Sequence, residues 1–186
     1  MSNPFDYAAH VSRNTGYVSD DVQEKVRNTR LLIAGCGIGS SVAVCAARMG
    51  FQHFVLVDGD TVSAHNLNRQ FYNFADIGRT KVEALSDAIL AINPSATVER
   101  HIEYLTAENT AEIVDRSDII FDTVDFLDLA AIEGLHSAAR QQGKPIFTAL
   151  SVGFGALVWY FPADTQATLP SILAQHSPQI EGGGRD

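Results

Sequence analysis

Leu31-Leu32-Ile33-Ala34-Gly35-Cys36-Gly37-Ile38-Gly39-Ser40 is the stretch on which the fold turns. Its first four residues are continuously apolar and run into glycine, the pattern of a strand buried on both faces. From Ser40 to Met49 the chain is rich in Ala and Val and free of Pro and Gly, which predicts a helix. Phe54-Val55-Leu56-Val57 reads as a second buried strand, closed by Asp58-Gly59-Asp60. Strand, glycine loop, helix and acid-ended strand make a unit suited to a nucleotide. The glycines let the backbone turn tightly and approach a phosphate, and the helix N-terminus offers unpaired N–H groups. Asp58, 23 residues after Gly35, stands where a carboxylate accepts from ribose hydroxyls. The spacing G-x-G-x-G departs from the strict G-x-G-x-x-G fingerprint. Gly35, Gly37 and Gly39 therefore point to a nucleotide without saying which, and a tight turn with no ligand is the bland alternative.

Working outward, residues 1–19 are polar and mixed, with turn signals at Asn3-Pro4 and Asn14-Thr15-Gly16. Ser19-Asp20-Asp21 offers N-caps for a helix over 20–28. Downstream, the periodicity predicts helices over 79–92, 107–115 and 126–142, the first stopped by Asn93-Pro94. Strands are expected over 96–102, 118–122, 144–150 and 156–161, the last antiparallel after the Gly153-Phe154-Gly155 turn. Strands alternating with helices imply an α/β fold: a Rossmann-like, mostly parallel sheet with helices on both faces. The expected division is an N-terminal segment and helix over 1–29, a nucleotide-binding domain over 30–162 and a C-terminal extension over 163–186. In that extension Pro170–Leu173 reads as a short helix, and the glycine-rich end from Glu181 as disorder.

Composition narrows the function. The 186 residues are 46% hydrophobic and 19% charged, as in a globular domain. A net charge of −9 argues against a general nucleic-acid binder, which carries a basic footprint. No apolar run reaches the ~18 residues that span a bilayer, and no leader-like start precedes Phe5, so the expected place is the cytoplasm, without a membrane partner. The only cysteines, Cys36 and Cys45, lie nine apart and form neither a disulfide framework nor a C-x-x-C metal pair; no zinc is expected.

Past the second strand come Asn66-Leu67-Asn68-Arg69-Gln70-Phe71 and then Asp76-Ile77-Gly78-Arg79-Thr80-Lys81. A nicotinamide-dependent oxidoreductase has no use for Arg69 and Lys81 just beyond a strand's carboxyl end. A triphosphate does, since Arg binds phosphate in a fork and Lys as a point charge. Asn66 can hold ribose or phosphate oxygens. Asp125 follows the strand over 118–122 at the carboxyl edge of the sheet, where a carboxylate holds Mg²⁺ against phosphates. Asp122 and Asp128 are close by, and one of the three is a candidate cap for the next helix.

Together these residues resemble the ThiF/MoeB/HesA family of ubiquitin-activating-enzyme-like adenylyltransferases, from about Ser12 to Pro162. The resemblance rests on Gly35–Ser40, Asp58-Gly59-Asp60, Asn66-Leu67-Asn68-Arg69-Gln70, Ile77-Gly78-Arg79-Thr80-Lys81, Ile92-Asn93-Pro94 and Asp122-Thr123-Val124-Asp125. It implies an ATP- and Mg²⁺-dependent enzyme that adenylates the C-terminal glycine of a small β-grasp protein ending in Gly-Gly, a sulfur carrier or ubiquitin-like modifier. It also implies a homodimer. By position, Gly37 and Gly39 line the phosphate loop, Asp58 holds the ribose, Asn66, Arg69 and Lys81 bind phosphates, and Asp125 positions Mg²⁺. Arg13 resembles the arginine that reaches into the partner subunit's ATP site. Departures from the family pattern are the missing C-x-x-C pairs, the lack of any cysteine after Cys45, Ala34 and Cys36 in place of glycine, and Phe126 in place of an amide. Three other readings stay open: dehydration of a modified tRNA base by the same adenylation chemistry, an NAD(P)-dependent oxidoreductase, and an inactive partner subunit.

Overall fold

The computed structural model describes residues 5–152 and 155–176. Helices α1 (Tyr7–Val11) and α2 (Asp20–Asn28) lead into strand β1 (Arg30–Ala34), helix α3 (Gly39–Met49) and strand β2 (His53–Val57). Helix α4 (Lys81–Ile92), strand β3 (Thr97–His101), helix α5 (Thr110–Asp115) and strand β4 (Ile119–Asp122) follow. Helix α6 (Leu129–Gln141), strands β5 (Ile146–Val152) and β6 (Gly155–Phe161) and helix α7 (Leu169–His176) complete the described chain. The sheet runs β3-β2-β1-β4-β5-β6, parallel except for β6, which pairs antiparallel with β5. This is the α/β arrangement expected. The chain winds out from β1 to β3 on one side and from β4 to β6 on the other, so a crevice opens between the carboxyl ends of β1 and β4, where such sheets bind ligands.

Strand alternation sorts the apolar runs into two cores. Leu31, Ile33, Phe54 and Leu56 pack with Ala43, Val44, Ala47, Val82, Leu85 and Ile89 of α3 and α4. Leu32, Ala34, Val55, Val57 and Ile120 face the other way, against Ile113, Val114, Ile132 and Leu135 of α5 and α6 and Leu169 of α7. A strand with helices on both faces must be apolar at every position, which is why Leu31–Ala34 carries no alternation.

Helix starts differ from the periodicity by two or three residues, each for a capping reason. Thr80 caps α4 by accepting from the Glu83 N–H at 3.3 Å, so the helix begins at Lys81 rather than Arg79. Asp128 caps α6, its Oδ1 accepting from Ala131 N–H at 3.1 Å, which moves that start from Phe126 to Leu129. Helix α5 begins after a Thr106–Asn109 turn closed by Thr106 N–H donating to Asn109 Oδ1. Helix α1 has no signal in the apolar pattern. Asp6 caps it, and long-range bonds hold it: Tyr7 O–H donates to the Gly50 carbonyl at 2.9 Å and His10 Nε2 to that of Ala47 at 3.0 Å. No helix among the described residues is long and apolar enough to cross a membrane. The Asn3-Pro4 turn, the Gly153-Phe154 part of the expected hairpin turn and the end of the chain from Ser177 lie outside the described residues.

Candidate active site

The crevice is a cleft of about 590 Å³ at the carboxyl edge of the sheet. Its floor is the glycine loop. Gly35 has φ +87, and a β-carbon there would stand 2.5 Å from the Thr123 carbonyl oxygen, so only glycine lets β1 and β4 diverge this closely. Gly39 is different. A β-carbon there would meet Thr123 Oγ1 at 2.5 Å and Ile33 Cγ2 at 2.6 Å, so this glycine seats α3 on the sheet, and it is absent from the cleft lining. Gly37 and Ile38 do line the cleft. Among the described residues their N–H groups have no intramolecular acceptor. They sit at the N-terminus of α3, where unpaired donors and the helix dipole favour an anion.

The segment after β2 folds back over this loop. Phe71 N–H donates to Ser40 Oγ at 2.9 Å, and Tyr72 O–H donates to the Cys36 carbonyl at 2.7 Å. These bonds bring Arg69 and Gln70 to the cleft wall. Arg69 donates only to the His65 carbonyl and Asn68 Oδ1 and forms no ion pair among the described residues, so its charge is uncommitted. Gln70 lies against Gly37, and its buried Oε1 has no hydrogen-bond partner. Asn66 does not reach the cleft: it is buried, and its Oδ1 accepts from Ser63 N–H at 2.9 Å, closing the turn that aims Arg69.

Asp58 ends β2 with its side chain largely buried. Its two oxygens accept from the N–H groups of Cys36, at 2.7 Å, and Asp60, at 2.8 Å. Burial raises its pKa above the ordinary carboxyl value, and the two amides and Lys81 pull the other way. Lys81, in the first turn of α4, donates to Asp60 Oδ2 at 2.6 Å and lies 3.9 Å from Asp58 Oδ2. Asp60 takes a second donor, Tyr104 O–H, at 2.6 Å. Lys81 first and Tyr104 second hold the Asp60 carboxyl below its ordinary pKa. Burial and the nearby Asp58 push the Cys36 thiol well up, which leaves it protonated and inert.

Across the cleft, Thr123 Oγ1 donates to the carbonyls of Ala34 and Gly35 and staples β4 to the glycine loop. Asp125 follows, exposed, with Oδ1 accepting from Leu127 N–H at 3.1 Å and, among the described residues, no ion pair. Of the three neighbouring aspartates, then, Asp128 is the helix cap, Asp122 is buried in the core and Asp125 faces the cleft. Arg13 is far from all of this. It lies in a 3-10 turn whose next residue, Asn14, donates to the Met49 carbonyl at the C-terminal end of α3, while the glycine loop is at its N-terminal end. An eleven-residue helix separates them, roughly 16 Å.

The polar groups fit a nucleotide: among the described residues, two unpaired N–H donors at a helix start and a guanidinium without an ion pair, and a buried strand-end carboxylate as acceptor. It also bears on a metal. The lining has two cationic side chains, Arg69 and Lys81, against five acidic ones, Asp58, Asp60, Glu103, Asp125 and Asp128. A polyanion entering such a cleft brings its own counter-cation. No group of three or more His, Cys, Asp or Glu among the described residues is arranged to hold a metal unaided. Mg²⁺ characteristically binds through one or two carboxylates plus substrate phosphates, and Asp125 is the carboxylate left with capacity. Tyr104, Thr123, Asp60 and the orphaned amide of Gln70 were missed as site candidates in the sequence. Gln70, Asp60 and Thr123 lie within the quoted motifs, and Tyr104 does not.

Comparison with known proteins bears on the family and the fold. Residues 11–180 match the ThiF family. The probable adenylyltransferase/sulfurtransferase MoeZ of Mycobacterium tuberculosis is 34% identical over 127 residues, 67% of this chain and 32% of that one. The sulfur carrier protein ThiS adenylyltransferase of Escherichia coli K12 is 31% identical over 137 residues, 73% of this chain and 54% of that one. Among solved structures, the E. coli tRNA N6-threonylcarbamoyladenosine dehydratase TcdA, in complex with ATP, superposes with a TM-score of 0.71 at 23% identity, over 76% of this chain and 58% of that one. The chain thus spans about a third to a half of the length of these two sequence relatives. The match to the family covers nearly the whole chain, and the chain belongs to the ThiF family.

Proposed function

We propose that this chain binds ATP with Mg²⁺ in the cleft and adenylates the C-terminal glycine of a small sulfur-carrier or ubiquitin-like protein ending in Gly-Gly. The observation that carries the reading is the convergence of the unpaired Gly37 and Ile38 N–H groups with the uncommitted Arg69 in one cleft. The named activities of the two sequence relatives support it.

In the proposed step a carboxylate oxygen of the partner attacks the α-phosphorus of ATP. The bond from that phosphorus to the bridging oxygen of the β-phosphate breaks, and pyrophosphate leaves with the electron pair. The nucleophile is already ionised at neutral pH, so no general base is required. The obstacle is bringing two anions together, and the chain's contribution is electrostatic. Arg69, Lys81 and the glycine-loop amides would bind the phosphates, and Asp58 would accept from the ribose hydroxyls. Mg²⁺, held by Asp125 and the phosphates, would neutralise charge on the leaving group.

Arg13, exposed at the far end of α3, cannot serve its own cleft, which supports a homodimer in which it enters the partner's. With no cysteine after Cys45, onward transfer through an enzyme thiol forms no part of the proposal.

The test is to incubate the chain with ATP, Mg²⁺ and candidate Gly-Gly-ended proteins and to weigh those proteins by mass spectrometry. A C-terminus carrying one AMP is expected. An adenylated tRNA base instead would move the substrate to nucleic acid, and binding of NAD(P) with none of ATP would replace the reading altogether.

A further inference from the structure

Two cations face the cleft, and among the described residues only one is free of an acidic partner. Arg69 has no acidic partner, whereas Lys81 is bound twice to Asp60: its Nζ donates to Asp60 Oδ2 at 2.6 Å and its backbone N–H to the Asp60 carbonyl at 2.9 Å. The Lys81 side chain is 8% exposed and that of Asp60 48%. Asp60 is also fixed from its other side. Tyr104 O–H donates to Oδ1 at 2.6 Å, and the Tyr104 ring lies flush on Gly59, where a β-carbon would stand 2.6 Å from it. Asp58 is the more distant carboxylate: its Oδ2 is 3.9 Å from Lys81, and its oxygens are oriented by the amides of Cys36 and Asp60. In the Lys81–Asp60 pair the ammonium, on a flexible four-carbon stem, is the mobile member, and the carboxylate is the anchored one.

We propose that Asp60 is a positioning residue: an internal anion that holds Lys81 until phosphates arrive and then yields it to them, so that the chain binds phosphate by exchanging one anion for another on Lys81. Tyr104 keeps Asp60 in place once the ammonium has swung away. Asp60 thereby sets how tightly the cleft holds a polyphosphate without touching it. The inference rests on reading the cleft as an ATP site, but its test needs neither ATP nor a partner protein.

The probe is inorganic tripolyphosphate, titrated calorimetrically into the full chain at low ionic strength. Asp60→Asn keeps a Tyr104 partner and removes the competing charge. It is expected to bind tripolyphosphate about fivefold more tightly than wild type, the scale of one partly exposed ion pair. Asp60→Ser is the second variant should the first fail to fold as judged by thermal unfolding, with the same expected sign. The gain must act through Lys81, so in a Lys81→Met background the Asp60 substitution should leave affinity nearly unchanged. Tighter binding that disappears with Lys81→Met supports the assignment. Equal or weaker binding by both Asp60 variants overturns it. So does a gain that persists at full size in the Lys81→Met background, since Asp60 would then only repel anions. Absence of adenylation by the wild type alongside the supporting result would remove the ATP reading and leave Asp60 its role.

Discussion

Two aspartates close the two strands that flank β1, and they do opposite things. Ala34 of β1 pairs with Val57 on one side and with Asp122 on the other; Asp58 is the next residue after Val57. Asp58 turns into the cleft and takes the amides of Cys36 and Asp60. Asp122 points away from it, 1% exposed, into the core beneath α6 and α7. There its Oδ2 accepts from Thr148 Oγ1 at 2.9 Å and from His136 Nε2 at 3.2 Å. The Leu169 N–H at the start of α7 points at His136 Nδ1, 3.5 Å away, so that nitrogen is the acceptor and Nε2 carries the proton. An acid at the end of an apolar strand is therefore ambiguous by itself. The pleat decides: the face a residue lands on turns one carboxylate toward the cleft and the other into the core.

Substitutions can separate the cleft from the core, and the largest effect belongs to the cleft. Asp125→Ala or Arg69→Ala should lower ATP–pyrophosphate exchange about a thousandfold, with the melting temperature unchanged. A loss of stability in either would mean that the residue is structural. Asp122→Ala, three residues from Asp125, should do the reverse. It strands the buried Thr148 hydroxyl and leaves His136 Nε2 only Thr148 Oγ1 as a partner, at a cost of about 3 kcal/mol in urea unfolding. Wild-type stability would dissolve the contrast between the two aspartates.

Gly35→Ala comes next, at about 2 kcal/mol, because φ is positive and the Thr123 carbonyl occupies the space. The smallest effect is that of pH on Asp58. Its folded pKa lies above the unfolded value, chiefly through burial. The contribution to stability is therefore full below the unfolded pKa and falls as pH rises through the folded pKa. Over that range Asp58→Asn should gain on wild type in thermal unfolding; a gap independent of pH would show that Asp58 is not held in this state.

The sequence made the framework readable where one physical constraint dominates. Leu31–Ala34 and Phe54–Val57 had to be doubly covered strands, and the chain placed helices on both sides of them. Asp58, Arg69, Lys81 and Asp125 sat in motifs, and all four line one cleft. Asn66 and Gly39 sat in the same motifs yet serve the turn and the helix seat, because sequence spacing does not say which way a side chain faces. Tyr104 was illegible for another reason. Its place over Gly59 depends on β3 pairing beside β2, a contact 45 residues apart in the chain. Helix α1 was hidden because its hold on α3 is polar and long-range, which leaves no apolar period to read.

The central claim is that this cleft activates a carboxyl group with ATP, and ATP–pyrophosphate exchange measures that most directly. With Mg²⁺ and a Gly-Gly-ended partner, the wild-type chain should return labelled pyrophosphate to ATP, and the exchange should vanish when the partner lacks its terminal glycine. No exchange with any such partner, from a folded chain that binds ATP, would contradict the claim.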